Sequence, residues 1–303
     1  MRRSSTLLAG ALSLSACAPA KPPVSPLPSA EAALAQLRSQ QACAQSLHAS
    51  AKVDNWSPEG RIRSDVLLYA AGPASLRLDA IAFGVNALTL TSDGAEFRMS
   101  DLRGKQFLVG RASACNLARV TQVPVPGEVL VGLLRGKAPV LKHQSAGATQ
   151  LRWDGKGYYV LDVQGAHAST EQLKIAVHPE DFGKPWAAQR LRVLGVRVTQ
   201  QGIPLYQAEL EGHQRIKNGV ARVDPEGIDD PIAASGPACD AELPRTVRLQ
   251  VPEADQDVLF RFDEPEWNPP LPPGVFTHEA TAGLQVYRVE CDDRDDRPKV
   301  ELK

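Results

Sequence analysis

Cys17 is the residue with the clearest chemistry to do. It stands in Leu14-Ser15-Ala16-Cys17, behind Arg2, Arg3 and a short apolar run from Leu7 to Leu14. A thiolate is a nucleophile that can be alkylated, and its small neighbours leave it open to a modifying enzyme. The run is too short to span a bilayer, which takes about 20 apolar residues. It has the form of the apolar region of a secretory signal peptide. Four further cysteines, Cys43, Cys115, Cys239 and Cys291, can form two disulfides in an oxidising compartment. Four cysteines allow three pairings, and the spacing leaves the choice open. No CxxC or His–Cys cluster offers a metal site. GxSxG, HExxH and a glycine-rich phosphate loop are missing. His48, His143, His167, His178, His213 and His278 are dispersed, with none at i,i+4. Asp229-Asp230 is a carboxylate pair in a loop between Gly227 and Pro231. No catalytic residue, metal or cofactor is expected, and the chain does not read as an enzyme.

The run LSAC resembles the lipobox of bacterial lipoproteins. That resemblance implies cleavage after residue 16, a diacylglycerol thioether on Cys17, and a further acyl chain such as palmitate on its new amino group. Each buried methylene contributes about 0.8 kcal/mol, and one chain alone binds only marginally. Two or three chains make a lasting anchor, so a membrane is the first partner expected. Ala18 follows the cysteine, where Asp in enteric bacteria favours the inner membrane. The resemblance therefore implies an outer-membrane, periplasm-facing lipoprotein of the cell envelope.

Residues 1–16 then form a signal peptide, and 17–28 a lipidated, proline-rich tether with five prolines. In polyproline II such a stretch reaches roughly 30 Å, at about 3.1 Å per residue. Residues 29–291 read as one domain, and 292–303 as a charged, disordered tail. The net charge is −1, which gives no electrostatic footprint for nucleic acid. Ser29 is a plausible N-cap for a helix over 29–47 with Leu34, Leu37, Ala44 and Leu47 on its apolar stripe. The pattern then alternates with period two in 48–54, 61–71, 75–82, 86–92, 95–101 and 105–110. Turn residues separate these runs, as at Gly72-Pro73 and Asp93-Gly94. A meander with one apolar face follows. Two helices, 113–123 and 126–137, interrupt before further strands, and the second puts Val129, Leu130, Leu133 and Leu134 on one face. Residues 224–242 read as a long loop, and the proline-rich 264–274 as a rigid crossing that covers a sheet edge.

The stretches RLDAIAFGVNALTLTSDGAEFRMSD (77–101) and ASACNLARVTQVPVPGEVLVGLLRGKAP (112–139) resemble the LolA/LolB-like family, LolB-type outer-membrane lipoproteins in particular. The resemblance implies a mainly β fold: a curved antiparallel sheet forming an unclosed half β-barrel, plugged by short helices. It implies an apolar cavity that holds acyl chains, and partners in a LolA-like periplasmic carrier and acylated client lipoproteins. Cavity candidates are Val66, Leu68, Leu76, Leu78, Leu88, Leu90, Val129, Leu130, Leu133 and Leu134. Phe83 occupies the position of that family's apolar residue on a protruding transfer loop, where Leu is common. Extra material near 179–189 and 224–242, and the four cysteines, depart from the pattern. They leave open a structural envelope lipoprotein with a self-filled barrel, or a carrier of another lipid.

Overall fold

The computed structural model describes residues 19–82, 84–121, 125–143, 146–224, 226, 230–291 and 302. Cys17, Phe83 and the charged tail, Leu302 apart, lie outside the described residues. The chain opens with α1 (Ala30–Gln40), whose N-cap Ser29 accepts a hydrogen bond from Ala32 N. The meander β1 (Ser46–Ser57), β2 (Gly60–Ala71), β3 (Ser75–Ala82), β4 (Val85–Ser92), β5 (Glu96–Asp101) and β6 (Gln106–Arg111) follows. Next come α2 (Ala114–Thr121) and α3 (Gly127–Leu134), then β7 (Thr149–Trp153), β8 (Tyr159–Gln164), β9 (Ser169–Val177), β10 (Leu191–Gln200) and β11 (Ile203–Glu211). The short ladders β12 (Gln214–Arg215), β13 (Lys217–Asn218) and β14 (Glu242–Leu243) precede β15 (Thr246–Val251), β16 (Gln256–Trp267) and β17 (Gln285–Val289).

One sheet holds fifteen of these strands, in the order β17-β6-β5-β4-β3-β2-β1-β16-β15-β11-β10-β9-β8-β7, with β13 beside β16. β17 and β7 are its two ends, so the large, curved sheet is not closed into a barrel. Its neighbours are antiparallel except at β17–β6 and β13–β16. The turns after β1, β3, β5 and β10, and the 252–255 turn before β16, share one rim. The register from Gln200–Ile203 through Val251–Gln256 and Trp56–Asp257 to Ser57–Gly60 runs continuously along it. Gly84, at φ 78°, makes the β3–β4 reversal possible.

Side chains from α1, α3 and the sheet build the main core. Leu34 and Leu37 of α1 join Leu161, Leu173 and Ile175. Val129, Val131, Leu133 and Leu134 of α3 are fully buried, so this helix is apolar on nearly all sides, as a helix enclosed by the fold must be. α2 contributes Leu117 to a second cluster with Leu90, Phe97 and Met99. Disulfides tie both helical regions to distant chain: Cys43 pairs with Cys239, and Cys115 on α2 pairs with Cys291 after β17.

Three expectations are corrected. The first helix ends at Gln40, because Leu47 belongs to β1, opposite Trp267 and Ala70. The described part of the tether does not stand free. Ala20 N donates to Gly155 O (2.7 Å), Val24 N to Phe182 O (3.0 Å) and Leu27 N to the Tyr159 hydroxyl (3.2 Å), and Leu27 is buried. Third, residues 264–267 of the expected 264–274 crossing complete β16, and the chain only later reaches β17, which pairs parallel with β6. The preceding segment crosses behind β4–β6, where the His278 ring nitrogens sit 2.9 Å from Thr91 Oγ1 and 2.9 Å from Ser100 Oγ. The crossing thus covers a sheet face, and β17 itself covers the β6 edge.

Glu171 of β9 points into the core, and its Oε2 accepts from Leu141 N at 2.8 Å. Burial pushes its carboxyl up to about 8. The folded state therefore holds a proton that an unfolded glutamate releases near pH 4.3, so stability falls as pH rises from there through about 8. Thermal melts are expected to show a falling Tm between about pH 6.5 and about pH 8. Glu171→Gln should remove that slope and raise Tm at neutral pH; an unchanged slope would contradict the assignment.

Candidate functional site

Directly paired residues on adjacent strands share a face of the sheet. On the concave face this puts Leu68, Leu78, Leu90 and Met99 in one row across β2–β5. Val66, Ala80, Leu88 and Asp101 form the next row toward the turn rim. Val53 of β1 lies between Ser64 of β2 and Phe260 of β16, and Val258 lies opposite Leu249. Ser64, Ala80 and Ala87 are short, and of α3 only Leu130 reaches this region. A bent sheet cannot fill its own hollow, so the space stays open.

The result is a cavity of about 970 Å³, at the upper end of the roughly 300–1,000 Å³ of small-molecule sites. It lies in the turn-rim half of β1–β5, β15 and β16. Ile62 lines it at 61% exposure, which puts the mouth on that rim. Val85 (65%) and Leu102 (46%) are exposed beside the adjoining turns.

Val66, Leu78, Leu88, Leu90 and Leu130 of the expected residues line the cavity. Leu68, Leu76, Val129, Leu133 and Leu134 do not; they pack in the core, nearer the opposite rim, with at most 5% exposure. The four helix residues expected on one face therefore divide. Leu130 faces the space, and the other three seal its inner end. Sequence reasoning missed Val53, Ile62, Ala80, Ile81, Ala87, Met99, Leu249, Val258 and Phe260. Alternation phase marked them as apolar-face residues except Ile81 and Ala87, which are out of phase and lie at the irregularity beside Ala80; only the β1–β16 register brings the last three to the same wall.

Asp54 holds that wall together. Its carboxylate accepts from Arg61 Nη2 (2.8 Å), Arg63 Nε (2.6 Å) and Arg261 Nη1 (2.8 Å), linking β1, β2 and β16. It is 4% exposed. The Arg261 guanidinium, with Arg63 and Arg61, holds its carboxyl well below the usual carboxylate range. This cluster positions the wall, and Asp54, Arg63 and Arg261 are themselves among the residues that line the cavity. The lining is mainly hydrocarbon, with Lys52, Asp54, Asn55, Arg63, Ser64, Asp65, Asp101, Arg103 and Arg261 as its polar and charged members, so the space suits an apolar chain, with polar groups also in reach.

No family model matches the chain, and no curated protein matches it. Among solved structures, it is similar to a LolA superfamily protein from Nitrosomonas europaea, at 12% identity and a TM-score of 0.49, over 82% of this chain and 98% of that one. It is similar to a DUF1329 family protein from Desulfovibrio piger, at 10% identity and 0.49, over 84% and 99%. A protein described as an outer membrane lipoprotein-sorting domain from Vibrio parahaemolyticus matches at 10% identity and 0.45, over 82% and 97%. The fold stated above rests on the strand register of this chain.

Two substitutions separate wall from core. Leu133→Ala, at a fully buried position, should cost about 2–5 kcal/mol in denaturant unfolding. Leu88→Trp, directed into open space, should leave the unfolding midpoint near that of the parent and abolish binding of a fatty-acid probe. Undiminished binding by the Leu88→Trp protein would remove this cavity from consideration.

Proposed function

We propose that the protein is an envelope lipoprotein that holds a single acyl chain, free or attached to a client, in the concave cavity and passes it on. The observation that carries this reading is the 970 Å³ hollow walled by Val66, Leu78, Leu88, Leu90, Leu130 and Phe260. Burying apolar surface is favourable by about 25 cal/mol per Å², so a hydrocarbon chain is drawn in without polar recognition. Such a site is tolerant of the ligand's identity, which suits handing over clients of one chemical type. The inner end sealed by α3 and the open turn rim give the chain one way in.

The sequence resemblance to LolB-type proteins supports the finer reading of an outer-membrane-anchored acceptor of acylated lipoproteins from a soluble carrier. The lipobox-like run at Cys17 supports the anchor. The reading involves no catalysis, and the chain acts by binding alone.

The test uses the chain from residue 18 onward, since Leu27 and its neighbours pack on the body. Titration with a fluorescent fatty acid should saturate at one site per chain and be competed by palmitate. Linear, non-saturating uptake, together with unchanged lipoprotein sorting in a deletion strain, would refute the proposal.

A further inference from the structure

The N-terminal segment is docked, and where it docks fixes which way the cavity faces. Ala20 is held from both sides: its N–H donates to Gly155 O at 2.7 Å, and its carbonyl accepts from Trp153 Nε1 at 2.7 Å. Farther along, Ser25 Oγ accepts from Trp186 N (3.1 Å), and Ser25 O accepts from Gln189 Nε2 (2.8 Å). Val24 N bonds Phe182 O, and Leu27 N bonds the Tyr159 hydroxyl. These partners lie at the end of β7, in the β7–β8 turn, at the start of β8, and in the 178–190 connection between β9 and β10.

The register places that group on the rim opposite the cavity mouth. Tyr159 pairs with Ile175 and Val177 with Leu191, whereas Gln164, Thr170 and Gln200 mark the other ends of the same strands. The Gln200 end continues through Val251–Gln256 to Trp56 and the β1–β2 turn. That turn rim carries Ile62 and Val85. β2 is 12 residues long. At about 3.3 Å per residue and a tilt of roughly 40°, the two rims stand about 30 Å apart. Cys17 is three chain steps from Ala20, with two residues between, a leash of at most about 11 Å.

We infer that an acyl anchor on Cys17 and the mouth of the cavity occupy opposite rims, so that the anchored protein presents its cavity away from its own membrane. The inference rests on the acyl-binding reading and on lipidation of Cys17. A free proline-rich tether of about 30 Å would let the domain turn over; the docked segment removes that freedom. The β1–β2 turn and Val85 then face the aqueous phase. The exchange partner of the cavity is consequently an acyl chain brought through water by another protein, not the lipid of the anchoring bilayer.

Depth-dependent quenching tests the orientation. The lipidated, processed chain is reconstituted in phosphatidylcholine vesicles with brominated acyl chains, carrying a fluorophore at Val24→Cys or at Val85→Cys. Both sites are exposed valines, at 84% and 65%, so side-chain chemistry does not bias the comparison. Strong quenching at Val24→Cys with none at Val85→Cys is expected. Quenching at Val85→Cys equal to or above that at Val24→Cys would overturn the inference. Failure of the chain to float with vesicles, with no lipid on Cys17 by mass spectrometry, would also overturn it, by removing the anchor. The fatty-acid titration of the soluble chain reads the cavity separately, so the two failures are distinguishable.

Discussion

The ladder between β1 and β16 is the interaction on which the rest of the structure depends. It runs from Leu47–Trp267 to Trp56–Asp257, joining segments some 200 residues apart in the chain. Without it the meander β1–β6 and the strands β7–β11 would be two separate sheets with two shallow faces. With it they form one curved surface, and Phe260 and Val258 come to face the leucines of β3 and β4 across the hollow. The Asp54 cluster works on the same joint, binding arginines of β2 and β16 to a carboxylate of β1. Non-local pairing of this kind carries a high loop-closure cost. The Cys43–Cys239 bond constrains the same pair of distant regions, which lowers the entropy of the unfolded chain.

The hollow made by this joint is divided between stability and function. α1 and α3 fill the inner part with Leu34, Leu37, Leu133 and Leu134, and α2 adds Leu117 at the β4–β5 side. α3 ends after two turns, and the strands continue past it toward the turn rim. Short residues there, Ser64, Ala80 and Ala87, do not reach across. The cavity is thus what remains when strands are longer than the helices that plug them. Its openness to hydrocarbon needs no dedicated residue, only the alternation that keeps apolar side chains on one face.

Much of this was legible in the sequence. The runs 61–71, 75–82 and 86–92 appear as β2, β3 and β4 within a residue, because alternation and turn residues are local signals. Val66, Leu78, Leu88 and Leu90 follow from that phase alone. What failed was long-range. Leu47 suits a helical stripe and a strand equally, and its partner Trp267 decided the matter. Val258 and Phe260 cannot be assigned to the cavity wall without the β1–β16 register. The N-terminal prolines read as a free tether because docking through backbone groups at Ala20 and Val24 leaves no pattern in side-chain types. The parallel seat of β17 on β6 likewise depends on a crossing that only tertiary contacts, His278 among them, define.

The central claim is that the hollow between α3 and the turn rim receives a hydrocarbon chain. Photocrosslinking with a fatty acid bearing a terminal diazirine, followed by peptide mass spectrometry, tests it most directly. The account predicts adducts concentrated on peptides carrying Val66, Leu78, Leu88, Leu130 and Phe260, suppressed by excess unlabelled fatty acid. Adducts spread over the exposed strands β7 and β17, or insensitive to competitor, would contradict it.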